Sequence, residues 1–426
     1  MSHHLLTFLG TGQYTACRYQ IGDFTWDTRY APLAIAKGIA ATETTESALK
    51  VSVFCTPTAL QHTSGLLEEW DLPELPVFPE LPESGTEEDY WRIFQIIADA
   101  TSREETLWLD ITHSFRYLPL LAYSVLDHLQ VVRGNPVGAI YYAAAEVLGK
   151  PDTWPDAIAE RVVPVRDLTP FLSIQRWTSA LRDFREKGDA RELRTLADAQ
   201  SLPLRKATRG RDPRANALQR LGKELEAWSE QVRNCRGPEI HDSSIGSRLE
   251  EFSALIDSDL APALRPELDL LRQTFSSVTE PQLSNVFFAA EWAADKGLFQ
   301  QAWTLLLEGL ISFFSAQWQT QLEECFPDQT VLQRNWVAQL LAVTADGTPR
   351  SSWKPPLADT AKLAEELQAA IPAGVSQIYR NIAAARNDLN HAGMVANPAA
   401  SSRLDRNLRS FLEDLRPLLP EAFPPA

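Results

Sequence analysis

The chain has 426 residues, 44% of them hydrophobic and 9% aromatic, with 56 acidic against 40 basic side chains and a formal charge of −16. That suffices for two or three globular domains, and the negative balance disfavours non-specific binding to duplex DNA, so any nucleic-acid contact is expected to be local. No run of about 18 apolar residues exists to span a membrane, and MSHHLLTFLGTG reads as a strand rather than a secretory signal. Four scattered cysteines (Cys17, Cys55, Cys235, Cys325) lack CxxC or Cys/His spacing, which argues for a reducing cytoplasm and against a zinc site or disulfide framework.

Across the first 170 residues strand-like and helix-like segments alternate. Apolar, β-rich runs fall at 5–10, 50–56, 106–111, 137–143 and 161–165, with helical patterns between them at 32–41, 59–70, 87–100 and 118–132. Segment 14–27 predicts a hairpin turning at Ile21, Gly22 and Asp23. The proline-marked segment 71–84 predicts a connecting loop with at most a short strand. This alternation predicts an α/β fold with a doubly wound, mainly parallel sheet, in which ligands sit at the carboxyl ends of strands.

After about residue 170 the period is almost wholly helical, with amphipathic candidates at 174–187, 215–235, 280–296, 299–324, 358–370 and 376–391. A sheet domain followed by a helical domain is expected, with the boundary near 165–180. Stretch 201–223 departs from the acidic balance, holding Arg205, Lys206, Arg209, Arg211, Arg214, Arg220 and Lys223 against the single acid Asp212. It reads either as a solvated loop and helix start or as a landing site for a polyanion. Arg205, Lys206, Arg209 and Arg211 are its candidate RNA contacts.

Four short stretches carry residue types suited to a site. LGTGQY, residues 9–14, follows the first strand; Gly10 and Gly12 around Thr11 let a ligand approach the backbone, whose N–H groups suit phosphate oxygens. It lacks the GxGxxG spacing, and strand follows it, so a Rossmann dinucleotide site is not expected. DITHSFRYLP, residues 110–119, gathers Asp110, Thr112, His113, Ser114 and Arg116 at another strand end, where Ser114 also suits a helix N-cap. The two loops are expected to converge on one crevice, and CTPTA, residues 55–59, which ends the second strand, is expected to line it with Thr56.

The fourth stretch is ARNDLNH, residues 385–391. On one helix Asn387 and His391 share a face, as do Arg386 and Asn390, whereas Arg386 and His391 stand about 140° apart at about 3.6 residues per turn. Two such helices related by a two-fold axis would combine them in one cleft. The residue types suit metal-independent RNA cleavage: His moves protons near neutral pH, Arg stabilises charge on phosphorus, Asn positions the phosphate or the ring. A polar helix end with Gly393 as C-cap is the competing reading.

FLGTGQY near the N-terminus, DITHSFRYLP about a hundred residues later and ARNDLNHAG near the C-terminus together resemble the CRISPR-associated CARF–HEPN ribonucleases, accessory effectors of type III CRISPR systems. The likeness runs over the whole chain, and DxTHxFRxxP is its most specific motif. It implies a Rossmann-like CARF sheet domain over 1–170 that binds a cyclic oligoadenylate activator, with cyclic tetra-adenylate preferred. A helical connector or insertion over 171–280 and an all-α HEPN ribonuclease domain over 281–426 would follow.

By that resemblance, Gly10, Thr11, Gly12 and Gln13 form one sensor loop; Asp110, Thr112, His113, Ser114 and Arg116 form the other. Arg386, Asn387 and His391 occupy the R-N-x3-H catalytic positions, and Glu308 resembles an acidic residue of an earlier helix. The expected protein is a cytoplasmic homodimer that cuts single-stranded RNA without a metal or cofactor, with no membrane or stable DNA partner. A nucleotide-sensing regulator without nuclease activity and a ring nuclease acting on cyclic oligoadenylate are the alternatives. Activator ring size, RNA sequence preference, breakdown of the activator, assembly beyond a dimer and the role of 171–280 are open from the sequence.

Overall fold

The computed structural model describes residues 2–42, 49–83, 85–113, 117–256 and 264–423. The chain divides into two compact units, 1–173 and 174–426. The first is built on a mixed sheet and the second is helical.

Seven strands form the sheet of the first unit: β1 (His3–Leu9), β2 (Cys17–Ile21), β3 (Phe24–Thr28), β4 (Leu49–Cys55), β5 (Thr106–Asp110), β6 (Val137–Ala143) and β7 (Val162–Asp167). They lie in the order β3-β2-β7-β6-β5-β1-β4. β1 pairs in parallel with β4 on one side and β5 on the other, and β5 pairs in parallel with β6. The hairpin β2–β3 turns at Gly22, whose φ of +56° is of the left-handed kind that glycine adopts without strain. β7 enters between β6 and β2, antiparallel to the first and parallel to the second.

β1 is buried at every residue, as a central strand covered on both faces must be. Its alternation sends Leu6 and Phe8 into one apolar cluster with Leu107, Leu109 and the helices Glu87–Ala100 and Leu118–Arg133. Leu5 and Leu9 enter the opposite cluster with Val51, Val53, Trp108 and the helix Ala31–Thr42. Within the proline-marked segment, residues 77–81 run along the outer edge of β4, exchanging backbone hydrogen bonds between Val77 and both Val51 and Val53, which covers an otherwise open edge. The helix expected over 59–70 is two pieces, Pro57–Leu60 and Thr63–Glu69.

In the second unit one apolar cluster runs from Trp177 to Phe423 and draws on both 171–280 and 281–426. Among its helices are Arg191–Ala207, Pro213–Arg233, Ser284–Asp295, Phe299–Gln317, Thr330–Ala345, Val375–Asn390 and Ser401–Leu418. Segment 201–223 is therefore a helix end, a turn and a helix start: Pro203 lies inside the first helix, and Arg209 and Gly210 turn the chain at φ +52° and +76°. Among the described residues no helix is long and apolar enough to cross a membrane.

Candidate functional site

β1 is the point where the sheet reverses order, since β4 lies to one side of it and β5 to the other. Loops leaving β1, β4 and β5 therefore open onto one crevice, the usual ligand position in such sheets. A cavity of about 350 Å³ occupies it. Its lining includes Gly10, Thr11, Gly12 and Gln13 after β1, Thr56 after β4, and Thr112 and His113 after β5. Phe8, Phe54, Leu81 and Leu118 supply apolar walls. Ser114 and Arg116 lie outside the described residues.

Tyr14 closes the first loop onto itself. Its hydroxyl accepts from the Gly10 N–H at 2.9 Å and donates to the Gly10 carbonyl at 2.7 Å. The Gly10 amide is thus spoken for, which leaves the exposed segment 11–13 as the part of this loop open to a ligand. Burial pushes the Tyr14 phenol up to about 12, so it stays protonated and keeps both bonds. The Tyr14 ring packs against Tyr30 at 5.1 Å and meets the edges of His113 at 4.9 Å and His62 at 6.0 Å.

Asp110 is fully buried and is not among the cavity-lining residues. It accepts from the Thr7 hydroxyl and the Thr112 hydroxyl, each at 2.5 Å, and from the Thr112 N–H at 2.9 Å. Burial raises its pKa while these donors from Thr112 and Thr7 pull it down. The Thr112 oxygen also accepts from the Ala143 N–H at 2.9 Å. Asp110 therefore anchors the loop that carries Thr112 and His113, tying it to β1 and β6. Burial lowers the His113 pKa to about 4, so the ring is neutral at pH 7, and its enclosed Nε2 has no hydrogen-bond partner among the described residues. Thr56 caps the short helix that follows it by accepting from the Ala59 N–H at 3.3 Å.

The second unit holds the other candidate residues. Helix Val375–Asn390 places Arg386 half-buried and Asn387 exposed in its last turns, and His391 is its exposed C-cap residue. The C-terminus is a Schellman turn: Gly393 N–H donates to the Asp388 carbonyl at 2.9 Å and Ala392 N–H to the Leu389 carbonyl at 3.0 Å. The left-handed cap position is thus Ala392, at φ +54°, rather than Gly393, which follows it at +74°. The buried Asp388 carboxylate accepts from the Ala399 N–H at 2.7 Å and ties this end of the helix to the chain leading into Ser401–Leu418.

The Asn390 amide lies between Arg386 and Gln300 of helix Phe299–Gln317. Facing Arg386, its oxygen accepts from Nε at 3.0 Å and Nη1 at 3.2 Å; facing Gln300 it accepts one bond from Nε2 at 3.3 Å. Two shorter bonds from a cation outweigh one long neutral bond, so the oxygen is assigned to Arg386. Glu308 pairs with Arg334 at 2.7 Å, and Arg334 also donates to Ser312 at 2.7 Å. Glu308 is in this way occupied within the helix packing.

Of the basic stretch, Lys206, Arg209 and Arg211 are exposed and Arg205 is half-buried. Asp212 is engaged by the N–H groups of Arg214 and Ala215 at 2.9 and 3.1 Å. A second cavity of about 220 Å³ lies beside this turn, lined by Arg211, Asn216, Arg220 and Glu251 among others. Sequence reasoning missed the closing role of Tyr14 and the packing of Tyr30 and His62 against its ring. A tyrosine four residues beyond Gly10 was the available signal for the first; nothing local signals the second.

No family model matches the chain. CRISPR-associated protein MJ1674 of Methanocaldococcus jannaschii is 26% identical over 138 residues, which is 32% of this chain and 20% of that protein. The chain thus spans about a fifth of the length of the curated relative it matches. The likeness supports a CRISPR-associated family.

Proposed function

We propose that the chain is a cytoplasmic CRISPR-associated effector of the CARF–HEPN kind: the first unit binds a cyclic oligoadenylate, and the second, as a homodimer, cuts single-stranded RNA. The observation that carries this reading is the convergence of three strand-end loops, at Thr11–Gln13, Thr56 and Thr112–His113, on one cavity. Its volume of about 350 Å³ falls at the small end of ligand sites, which run from about 300 to 1,000 Å³. That space suits a portion of a cyclic oligonucleotide, with the rest of the ring held by a second copy. Exposed N–H groups and hydroxyls fit phosphate, and the neutral His113 fits a base edge or a ribose hydroxyl.

In the second unit Arg386 is held by Asn390 beside the exposed Asn387 and His391. The chemistry proposed there needs no metal. His391 takes the proton of the RNA 2′-hydroxyl, the resulting oxygen attacks the adjacent phosphorus, and the P–O5′ bond breaks with a proton delivered to the leaving 5′-oxygen. The products are a 2′,3′-cyclic phosphate, which hydrolyses to a 3′-phosphate, and a 5′-hydroxyl. Arg386 neutralises the charge that builds on the phosphoryl oxygens. Lys206, Arg209 and Arg211 supply counter-charge for the strand.

Labelled single-stranded RNA, incubated in EDTA with and without cyclic tetra-adenylate, tests the reading. Cleavage that depends on the activator is expected. A strict requirement for a divalent metal would falsify the mechanism. Breakdown of the activator without RNA cleavage would indicate a ring nuclease, and activator binding with neither reaction would indicate a regulator.

A further inference from the structure

The basic turn of the second unit borders a cavity of its own, about 220 Å³ in volume. The turn is fixed by backbone bonds, from the Gly210 N–H to the Arg205 carbonyl at 2.7 Å and from the Arg211 N–H to the Thr208 carbonyl at 3.2 Å. Asn216 locks it from the helix that follows, its Nδ2 donating to the Gly210 carbonyl at 2.8 Å. Asn216 and Arg220, four apart on helix Pro213–Arg233, line one wall of the cavity. Glu251 and Leu255, four apart on helix Ile245–Leu255, line another. Between them on that helix the lining residue Phe252 is buried and belongs to the same apolar core as Leu218 and Leu221.

Most acids on these two helices are engaged elsewhere. Asp212 accepts from the N–H groups of Arg214 and Ala215 and pairs with the Arg214 guanidinium at 3.2 Å. Glu224 pairs with Arg248, and Glu250 with Arg272, each at 2.5 Å. Arg211, Arg220 and Glu251 are exposed and form no ion pair among the described residues. Two uncommitted guanidinium groups on one cavity, in a chain of charge −16, draw an anion to this spot, and the planar fork of arginine suits phosphate in particular. The free carboxylate and the apolar wall beside them complement a sugar hydroxyl and a nucleobase. The volume lies below the range of about 300 to 1,000 Å³ for larger ligands, so the space fits one nucleotide unit and no oligomer.

We propose that this cavity is a nucleotide-binding site that takes one phosphorylated ribonucleoside. Arg211 and Arg220 hold its phosphate, Phe252 and Leu255 flank its base, and Glu251 accepts from the 2′-hydroxyl, the group that distinguishes RNA from DNA. A free mononucleotide and one unit of an RNA strand present the same groups, so the recognition chemistry is common to both. The site shares no lining residue with the crevice of the first unit and does not depend on the ribonuclease reading above.

The test titrates the full chain, without cyclic tetra-adenylate so that no cleavage intervenes, with two pairs of probes: AMP against 2′-deoxy-AMP, and a single-stranded RNA against DNA of the same sequence. Arg211→Ala and Arg220→Ala should each weaken binding of the ribose probe about tenfold, the worth of a charge-assisted hydrogen bond, at an unchanged melting temperature. Arg220→Lys should recover part of the loss, since lysine binds phosphate as a point charge. The wild type should prefer the ribose member of the pair, and Glu251→Ala should erase that preference. Loss seen with AMP identifies a free nucleotide, and loss seen with the RNA alone identifies a unit of a strand; both support the site. AMP held in the crevice of the first unit is blind to these substitutions, so binding of both ribose probes that is unchanged in Arg211→Ala and Arg220→Ala overturns the proposal. A wild type that binds neither probe, or a ribose preference that survives Glu251→Ala, also counts against it. RNA cleavage with cyclic tetra-adenylate, together with no effect of the arginine variants on binding, removes this site and leaves the ribonuclease reading standing. Weakened AMP binding in those variants without any RNA cleavage does the reverse.

Discussion

The Tyr14 hydroxyl accepts the Gly10 N–H and donates to the Gly10 carbonyl, at 2.9 and 2.7 Å, so one side chain satisfies both backbone groups where β1 opens into the cavity. Tyr14→Phe removes both bonds at once and should cost about 1–3 kcal/mol of stability in urea unfolding. It should also weaken cyclic tetra-adenylate binding in a direct titration, because the 10–13 loop would no longer be held in one shape. A variant with wild-type stability and binding would mean that water replaces the hydroxyl without loss.

Acid should destabilise the first unit through its buried histidines. His4 is fully buried, with Nδ1 3.1 Å from Glu105 and Nε2 2.9 Å from the Ser52 hydroxyl. Burial, with the Lys50 charge, lowers its pKa from 6.5 to about 4. Between those values the unfolded chain binds the proton and the folded one does not, so stability rises with pH across the window and is lost as pH falls from 6.5 towards 4. The loss from His4 is about 3 kcal/mol, and His113, lowered to about 4 by burial, adds to it in the same window. Asp110, raised by burial, acts with the opposite sign from 3.8 upwards. Urea midpoints measured from pH 8 to 4 should fall, and His4→Gln should flatten the curve. A flat wild-type profile would refute the linkage.

Gly246 sets the closeness of a helix start to the turn at 275–278. A Cβ there would stand 2.2 Å from the Phe275 carbonyl oxygen and 3.0 Å from that of Val278, which also accepts the Gly246 N–H at 2.8 Å. Both obstacles are backbone and cannot rotate away. Gly246→Ala should therefore destabilise by about 1–3 kcal/mol, read as a lower denaturant midpoint. Because one core runs from Trp177 to Phe423, the loss should appear in the unfolding of the entire second unit.

At the other candidate site, Asn390→Ala frees the Arg386 guanidinium from the two bonds at 3.0 and 3.2 Å. The expected result is a drop in RNA cleavage of about tenfold to a hundredfold from lost orientation, with activator binding and melting temperature retained. His391→Ala should abolish cleavage and leave activator binding intact. Loss of both functions together in either variant would assign these residues to structure instead of catalysis.

Much of the fold was legible because its cause is local. The apolar, β-rich run at β1 and helical periods later in the chain can be read from single segments, whereas the division of Leu6 and Phe8 from Leu5 and Leu9 between two cores came with the sheet. The Gly22 turn and the strand ends carrying Thr11, Thr56 and Thr112 are equally local. The insertion of β7 between β6 and β2, the break of helix 59–70 into two and the left-handed Ala392 were not legible, since each depends on what packs against the segment.

The sequence by itself determined the alternation of elements, the acidic surface and which loops carry hydroxyls, imidazole and guanidinium groups. Only the tertiary structure decided what those groups do. It turned Asp110 inward to hold the loop, gave Tyr14 the closure of Gly10 and engaged Glu308 with Arg334. The physical reason is that composition and periodicity depend on neighbours along the chain, whereas burial and hydrogen bonding depend on neighbours through space. Thr7 and Asp110 are far apart in the first sense and hydrogen-bonded in the second.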